Sequence, residues 1–172
     1  MRLAIRRFDA AVIERAQVLP VWFRPIMQLL TLVGQPVFVV VIAVVMLYLE
    51  LKQTHLRLAL AYGTILIVIG VGSLLKYMLH RVRPDTKYAK NMWFHTYSFP
   101  SGHATSAMVG FGVLGYLLLP AWSVVALLVG ILLAICVGIS RVYLGAHFPS
   151  DVVGGWILGF VGLLAVIFAV QP

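Results

Sequence analysis

The sequence predicts an all-α fold, a polytopic bundle of membrane-spanning helices. Of its 172 residues, 62% are hydrophobic and only 10% are charged, whereas a soluble domain carries about 25% charged residues. The apolar residues also fall into five long stretches, and a helix needs about 20 mostly apolar residues to cross a bilayer. We therefore expect about five transmembrane helices, with an amphipathic helix before them.

The apolar stretches are separated by short polar or irregular segments. They cover residues 29–49, 58–75, 103–119, 121–139 and 152–170. Residues 34–36 make the start of the first stretch irregular, and the two prolines of residues 20–25 predict a turn there, not a sixth span. Gly155 and Gly159, four apart in the last stretch, predict close packing of helices within the bundle, with dimerisation as the weaker alternative.

Residues 1–28 are predicted to be an interfacial segment, and residues 29–172 the transmembrane domain. Near the N-terminus, apolar side chains recur at roughly helical spacing with arginines among them: Leu3, Ile5, Phe8, Val12 and Ile13. This pattern is typical of an amphipathic helix that lies on the bilayer surface. A short solvated arm is the alternative.

Charge and cysteine content narrow the range of partners. The net charge is +8, but no basic stripe with interleaved aromatic residues is present, which argues against nucleic acid. Anionic lipid headgroups and a phosphate-bearing substrate explain the sign better. The single cysteine, Cys136, lies in an apolar run, so no disulfide framework is expected. The predicted partners are the lipid bilayer and a phosphate-bearing substrate.

The predicted spans bring the polar, chemically reactive residues to one face of the membrane. The connections 76–100 and 140–150 lie on that face, and the links at residues 50–57 and at Pro120 lie on the opposite one. Three short groups of residues stand at the ends of spans on the first face.

The first group contains Lys76 and Arg83. They are seven residues apart, which is about two helical turns and places both on one helix face. Pro84 then favours a chain turn at Arg83. Two cations on one face at the membrane surface can bind a phosphate dianion, whereas simple anchoring at the membrane boundary explains Lys87 and Lys90.

The second group is Pro100-Ser101-Gly102-His103, at the start of the third span. Backbone N–H groups at a helix N-terminus point outward and favour an anion. Gly102 lets a ligand approach the backbone, the Ser101 hydroxyl can add a donor, and His103 can give a proton to a leaving oxygen. A serine N-cap followed by a boundary histidine is the alternative interpretation.

The third group is Ser140-Arg141, followed by His147 and Asp151. Asp151 stands in the first turn of the last predicted helix, where a carboxylate can simply favour the helix dipole. However, His147 lies four residues before it, within reach of the carboxylate. A carboxylate on one imidazole nitrogen fixes the tautomer and leaves the other nitrogen free to attack.

Ionisable groups at a membrane are costly, so such a cluster is expected to be functional. No metal and no cofactor are predicted, because the cations around the two motif histidines repel a metal ion and attract phosphate. The remaining histidines have no comparable setting and are predicted to be surface or structural residues: His55, His80 and His95.

Together, the three groups resemble the type 2 phosphatidic acid phosphatase (PAP2) superfamily. That family shows a lysine, six residues and Arg-Pro; then Pro-Ser-Gly-His; then Ser-Arg, five residues, His, three residues and Asp. This sequence has, in the same order, Lys76-YMLHRV-Arg83-Pro84, Pro100-Ser101-Gly102-His103 and Ser140-Arg141-VYLGA-His147-FPS-Asp151. With its flanking spans, the resemblance covers roughly residues 29–170.

The resemblance implies a metal-independent lipid phosphatase. In that family the residue matching His147 attacks phosphorus and forms a phosphohistidine, the one matching Asp151 orients it, and the one matching His103 protonates the leaving group. The implied substrates are phosphatidylglycerol phosphate, phosphatidic acid, polyprenyl phosphates or pyrophosphates, and lipid A phosphates. The residues that would hold the phosphoryl oxygens are Lys76, Arg83, Ser101, Gly102 and Arg141.

Topology is the point at which the sequence departs from the family. Bacterial members often have six spans, and the one missing here would be the first, which carries no motif residue. All Lys and Arg residues except Lys52 and Arg57 fall on the motif face, so the positive-inside rule favours a cytoplasmic active site. Many bacterial members instead work on the outer face. The expected location is the bacterial cytoplasmic (inner) membrane. The sequence does not decide which face of this membrane carries the active site.

Two other functions fit the sequence less well. A vanadate-dependent haloperoxidase has a similar anion site, but those relatives are soluble. A silent membrane scaffold or a transporter would be favoured by loss of a motif histidine or by acidic residues within the spans, and the predicted spans show neither. The sequence assigns neither the lipid nor an oligomeric state.

Overall fold

The computed structural model of the protein describes residues 2–17, 20–92, 96–118 and 123–170. Every regular element in these ranges is helical, which confirms the predicted all-α fold. A 3-10 turn over Val21–Phe23 precedes the second helix. The helices in chain order are α1 (Arg2–Gln17), α2 (Arg24–Val33), α3 (Pro36–Lys52), α4 (Leu56–Leu79), α5 (Lys87–Lys90), α6 (Gly102–Leu118), α7 (Ser123–Tyr143) and α8 (Pro149–Val170).

Four helical segments within the described ranges are long and apolar enough to cross a membrane. They are Val21–Lys52, Leu56–Leu79, Ser123–Tyr143 and Pro149–Val170. The fifth predicted span corresponds to α6, which is equally apolar over its 17 described residues. Its predicted end at Leu119 and the predicted link at Pro120 lie outside the described residues. The polytopic helical bundle is therefore confirmed. Four described segments are long enough to span a membrane, and α6 is a further apolar helix of 17 described residues.

The first span begins earlier than predicted. Residues 20–25 were expected to form a turn only, but α2 already starts at Arg24, with Pro25 in its first turn. Proline is tolerated there because the first helical N–H groups have no partner within the helix. The break between α2 and α3 falls at Gly34, where a Cβ would lie 2.3 Å from Cγ1 of Val137 on α7. The glycine therefore allows the end of α2 to pack directly against α7.

The helix α6 forms the centre of the bundle, in contact with α3, α4, α7 and α8. A Cβ on Gly155 would lie 2.7 Å from the carbonyl oxygen of Ser101, and one on Gly159 would lie 2.7 Å from that of Thr105. Both glycines of α8 thus face α6, as the prediction of close packing within the bundle requires.

The surface of the bundle is suited to lipid. Large apolar side chains on the outward faces are more than half exposed, for example Leu60, Leu128 and Phe168. A soluble monomer rarely exposes so much contiguous apolar surface. Most of the buried polar side chains, by contrast, gather near the ends of α4 and α7 and the starts of α6 and α8. This end of the bundle is the face on which the three sequence groups were predicted to meet.

Candidate active site

A cavity of about 690 Å³ opens at the polar end of the bundle. Its apolar wall comes from the junction of α2 and α3, and its outer wall comes from α5 and the residues after it. Six of the eight residues predicted for the site line this cavity: Lys76, Arg83, Gly102, His103, Arg141 and His147. The other two, Ser101 and Asp151, are buried behind it with no exposed surface.

Lys76 and Arg83 reach the cavity by a different route from the one predicted. The expectation that both stand on one helix face is wrong, because α4 ends at Leu79 and His80 takes a left-handed conformation with φ 49°. The chain then turns back, so that Arg83 approaches the cavity from the loop. Lys76 remains on the helix, where its Nζ donates to the carbonyl oxygen of Pro100 at 2.7 Å.

The Arg83 guanidinium is held on several sides. Its Nε donates to the carbonyl oxygen of Thr96 at 2.8 Å, and Nη2 donates to the Thr96 hydroxyl at 3.0 Å. Nη1 donates to the carbonyl oxygen of Ala146 at 3.0 Å and lies 3.0 Å from Nε2 of His147. Burial and the nearby cation Arg141 lower the pKa of Arg83 from its usual value. The guanidinium nevertheless remains a cation, since arginine is not deprotonated in proteins.

The imidazole of His147 has two distinct sides. Its Nδ1 lies 3.4 Å from the Ser98 hydroxyl and 3.6 Å from Oδ2 of Asp151, while its Nε2 faces Arg83. A guanidinium can only donate hydrogen bonds, so Nε2 is the unprotonated nitrogen, whose lone pair accepts from Arg83, and Nδ1 carries the proton. Burial, with the positive charges of Arg83, Lys76 and Arg141, lowers the pKa of His147 well below 6.5. The neutral ring therefore presents a nucleophilic nitrogen to the cavity.

Asp151 is held by donors from three directions. Its Oδ2 accepts hydrogen bonds from the Ser98 hydroxyl and, at 2.9 Å, from the backbone N–H of Phe148. Its Oδ1 accepts from Nη1 of Arg81 at 2.6 Å. The 3.6 Å separation from His147 Nδ1 is an ion-pair distance, longer than a hydrogen bond. The Ser98 hydroxyl stands between the two groups and links them.

Ser101 and Gly102 form the start of α6. The Ser101 side chain is the N-cap, 3.5 Å from the backbone N–H of Ala104, and its own N–H donates to the carbonyl oxygen of Asp151 at 2.9 Å. The hydroxyl therefore faces the helix and not the cavity. This position fits the alternative interpretation of Ser101 as a helix N-cap. A Cβ on Gly102 would find no atom closer than 3.8 Å, so the first turn of α6 is open to a ligand.

Two buried polar atoms at the cavity have no hydrogen-bond partner in the described part of the chain. They are Nε2 of His103 and Nε of Arg141. Buried polar groups are paired in the great majority of cases, so these two atoms are available to a polar ligand. Arg141 is only 1% exposed. Its Nη1 lies 3.3 Å from the Thr31 hydroxyl and 3.4 Å from the Tyr88 hydroxyl.

Several contributors to the site were not found in the sequence. Ser98 and Arg81 hold Asp151, and Thr31 and Tyr88 hold Arg141. Each is a single polar residue outside any motif. Only Arg81, which lies between Lys76 and Arg83 in the first group, could have been suspected from the sequence.

The remaining histidines match their prediction where the structure describes them. His80 is exposed, and His55 is an exposed residue whose Nδ1 lies 2.9 Å from Glu50 at the opposite end of the bundle. His95 lies outside the described residues. Among the residues that the structure describes, no three or more His, Cys, Asp or Glu side chains are grouped so that they could hold a metal ion.

Comparison with known families and proteins points to one family. The model of the PAP2 superfamily matches residues 54–172, and this range contains all eight predicted site residues. Among solved structures, the chain is similar to the transmembrane PAP2 type phosphatidylglycerolphosphate phosphatase from Bacillus subtilis. The TM-score is 0.81 and the sequence identity 28%, over 96% of this chain and 85% of that one.

Curated relatives carry the names of lipid phosphatases. Phosphatidylglycerophosphatase B of Bacillus subtilis is 34% identical over 170 residues, 92% of this chain and 81% of that protein. An undecaprenyl-diphosphatase of Sulfolobus acidocaldarius is 32% identical over 76% of this chain and 62% of its own length. A lipid A 1-phosphatase of Rhizobium etli is 37% identical over 58% of this chain, which spans 45% of that relative.

Proposed function

The chain belongs to the PAP2 superfamily of membrane lipid phosphatases, and we propose that it transfers the phosphoryl group of a membrane lipid to Nε2 of His147 and then to water. One observation carries this proposal: Nε2 of His147 lies 3.0 Å from the Arg83 guanidinium, at a cavity lined by Lys76, Arg83 and Arg141. A nucleophile and a site for an anion thus occupy the same space.

The reaction proceeds in two balanced steps. Nε2 of His147 attacks phosphorus, a bond forms between them, and the bond from phosphorus to the leaving oxygen breaks. His103 donates a proton to that oxygen, which leaves as the lipid alcohol or the lipid monophosphate. Water then attacks the phosphohistidine, His103 takes a proton from it, and inorganic phosphate leaves with Nε2 restored. The phosphate dianion itself stabilises the protonated form of His103 before the first step.

Charge stabilisation comes from cations that are in place before the substrate binds. The Arg83 fork is fixed by Thr96 and Ala146, and Nε of Arg141 is unpaired among the described residues. The open first turn of α6 at Gly102 adds backbone N–H donors. Donors that need no rearrangement as charge develops on the phosphoryl oxygens supply the electrostatic part of catalysis. Asp151, through Ser98, keeps the proton on Nδ1 of His147.

The wall of the cavity supports a lipid as the substrate. Leu32, Val37 and Phe38 line it from the junction of α2 and α3, and each is about half exposed on the apolar outer surface. An acyl or prenyl chain can lie against this wall while its phosphate reaches the cations. The proposed substrate class comprises the phosphomonoesters and pyrophosphates of membrane lipids, including phosphatidylglycerol phosphate and polyprenyl pyrophosphate. No metal ion enters the proposed steps.

Phosphate release by the purified protein in detergent tests this function. The assay uses a chelator and a panel of lipid phosphates and pyrophosphates, with His147→Ala as the test variant. His55→Ala is the matched control, because His55 is exposed at the opposite end of the bundle. We expect metal-independent release that His55→Ala retains and His147→Ala loses. Activity in His147→Ala would disprove the nucleophile, and activity lost with chelator would disprove the metal-independent mechanism.

The protein is an integral membrane protein, and we place it in the bacterial inner membrane with the active site at the cytoplasmic face. The distribution of Lys and Arg supports this orientation. Two single-cysteine variants in a Cys136→Ala background test it: Glu14→Cys on α1 and Gln53→Cys at the opposite end. We expect an impermeant thiol reagent on intact cells to label position 53 and spare position 14. The reverse pattern would place the active site on the outer face.

A further inference from the structure

The N-terminal helix α1 sends one acidic side chain into the protein. Asp9 is only 4% exposed, although its neighbours Phe8 and Ala10 are exposed. Its Oδ1 accepts from the backbone N–H of Ser150 at 2.9 Å, and its Oδ2 accepts from the Ser150 hydroxyl at 2.9 Å. Ser150 stands in the first turn of α8, where N–H groups lack partners within the helix. Asp9 therefore caps α8 from another helix.

Arg81 links this cap to the reaction site. Its Nη2 donates to Oδ2 of Asp9 at 2.7 Å, and its Nη1 donates to Oδ1 of Asp151 at 2.6 Å. The guanidinium also lies over the Phe148 ring, 4.6 Å from the centroid. The side chain of Asp151 is fully buried, that of Asp9 is 5% exposed and that of Arg81 is 28% exposed. The two carboxylates are therefore shielded from water and Arg81 is partly shielded, which strengthens the interactions among the three charges.

We propose that Asp9 is a positioning residue for phosphoryl transfer, which acts on Asp151 through Arg81; this inference rests on the proposed function. Arg81 is shared between two carboxylates, so its positive charge neutralises the negative charge of Asp151 only in part. Asp151 keeps enough negative charge to stabilise the positive charge that develops on the His147 ring during attack. The contact with Ser150 also fixes the first turn of α8, which carries Asp151.

The contacts of Asp9 predict an effect on the chemical step and not on phosphate binding. Asp9 has hydrogen bonds to Arg81 and Ser150, and its described contacts include none of the cations that line the cavity. Without the Asp9 charge, the whole guanidinium charge acts on Asp151, and the His147 cation is stabilised less. We therefore expect kcat to fall while KM stays nearly constant, which is the signature of an interaction made chiefly in the transition state.

The test uses the full-length protein in detergent, with kinetics normalised to folded protein by its thermal transition. Asp9→Asn removes the charge but keeps an oxygen that can accept from Ser150. Glu14→Gln removes the same charge from an exposed position of the same helix and serves as the control. We expect Asp9→Asn to lower kcat about tenfold with little change in KM, and Glu14→Gln to match the wild type. In an Arg81→Gln background, Asp9→Asn is expected to cost nothing further.

Specific outcomes would overturn the inference. They are an unchanged kcat in Asp9→Asn, a rise in KM alone, or an equal loss of kcat in the Arg81→Gln background. Asp9→Glu is a second variant that keeps the charge and is expected to stay within about threefold of the wild-type kcat. A loss in Asp9→Glu as large as that in Asp9→Asn would show that charge is not what matters. His147→Ala is measured alongside, because its activity would sink the proposed function itself, whatever Asp9 does.

Discussion

Nη1 of Arg83 lies 3.0 Å from Nε2 of His147, so a fixed cation and the proposed attacking nitrogen share one corner of the cavity. Because a guanidinium cannot accept a hydrogen bond, this contact leaves the lone pair on Nε2. A phosphoryl group that displaces this contact would have one oxygen on Arg83 and its phosphorus in front of His147. The chemistry of the site therefore depends on the shape of the arginine as well as on its charge.

Replacement of Arg83 by lysine tests the importance of that shape. A lysine keeps the charge but cannot bind Thr96 and His147 at once, since it is a point charge on a flexible stem. We expect Arg83→Lys to lower kcat/KM about a hundredfold. Arg24→Lys, the same change at an exposed position at the start of α2, is expected to have no effect. Steady-state kinetics with a lipid phosphate measures both, and an Arg83→Lys enzyme close to wild type would contradict the argument.

The environment of His147 predicts the pH dependence of activity. Burial and the cations Arg83, Lys76 and Arg141 lower the pKa of His147 well below 6.5. A lowered pKa means that the ring loses its proton at a lower pH, so the nucleophile stays neutral as the solution becomes mildly acidic. The acid limb of kcat/KM is therefore expected below pH 6.5. It should move upward in Arg83→Gln, which removes one of these charges.

The profile is measured from about pH 4 to pH 9 for both proteins. Ionisation of the substrate phosphate is common to the two profiles, so the difference between them reports on the enzyme. An acid limb that stays in place in Arg83→Gln would show that it does not belong to His147.

Ser98 is expected to contribute to catalysis although no motif includes it. It is completely buried, its hydroxyl donates to Asp151, and it lies 3.4 Å from Nδ1 of His147. Ser98→Ala removes the group that links the carboxylate to the ring, and we expect kcat to fall about tenfold with little change in KM. Ser73→Ala is the control, because the Ser73 hydroxyl only donates to the Ile69 carbonyl oxygen within α4. Equal kinetics for the two variants would exclude the proposed link.

Gly155 is expected to be essential for stability, because α6 and α8 are in direct contact there. A Cβ would lie 2.7 Å from the Ser101 carbonyl oxygen and 2.9 Å from the Ala104 Cβ. We expect Gly155→Ala to lower the free energy of unfolding by about 1–3 kcal/mol. At Gly63 a Cβ would meet nothing within 4 Å, so Gly63→Ala should be neutral or stabilise by up to about 1 kcal/mol. Thermal unfolding in detergent compares them, and equal transitions would contradict the packing argument.

The sequence was most informative where the signal is local. Apolar stretches predicted the spans, since the cost of burying backbone groups in lipid leaves few alternatives to a helix. The eight predicted site residues stand in three short groups at span ends, and the topology brings those ends together. The helical bundle and the convergence of the groups at one end both follow from hydropathy, whereas five spans were predicted and four described segments meet the length of a span.

Features that depend on tertiary contacts were missed. The pairing of Asp9 with Arg81 joins residues far apart in the chain, and neither spacing nor composition marks it. The expectation that Lys76 and Arg83 share a helix face was wrong, because the left-handed residue His80 ends the helix before Pro84. The start of α2 was missed for the opposite reason, since Pro25 begins a helix as readily as it breaks one.

The most direct test of the account is a trap of the phosphoenzyme. The purified protein is mixed with a lipid labelled in its phosphate, quenched rapidly in alkaline detergent, and analysed for label bound to the protein, with His147→Ala in parallel. The account predicts label on the wild-type protein that survives base, is lost in acid as expected of a phosphorus–nitrogen bond, and is missing from His147→Ala. Label that persists in His147→Ala, or that is stable to acid and lost in base, would show that another residue is the nucleophile.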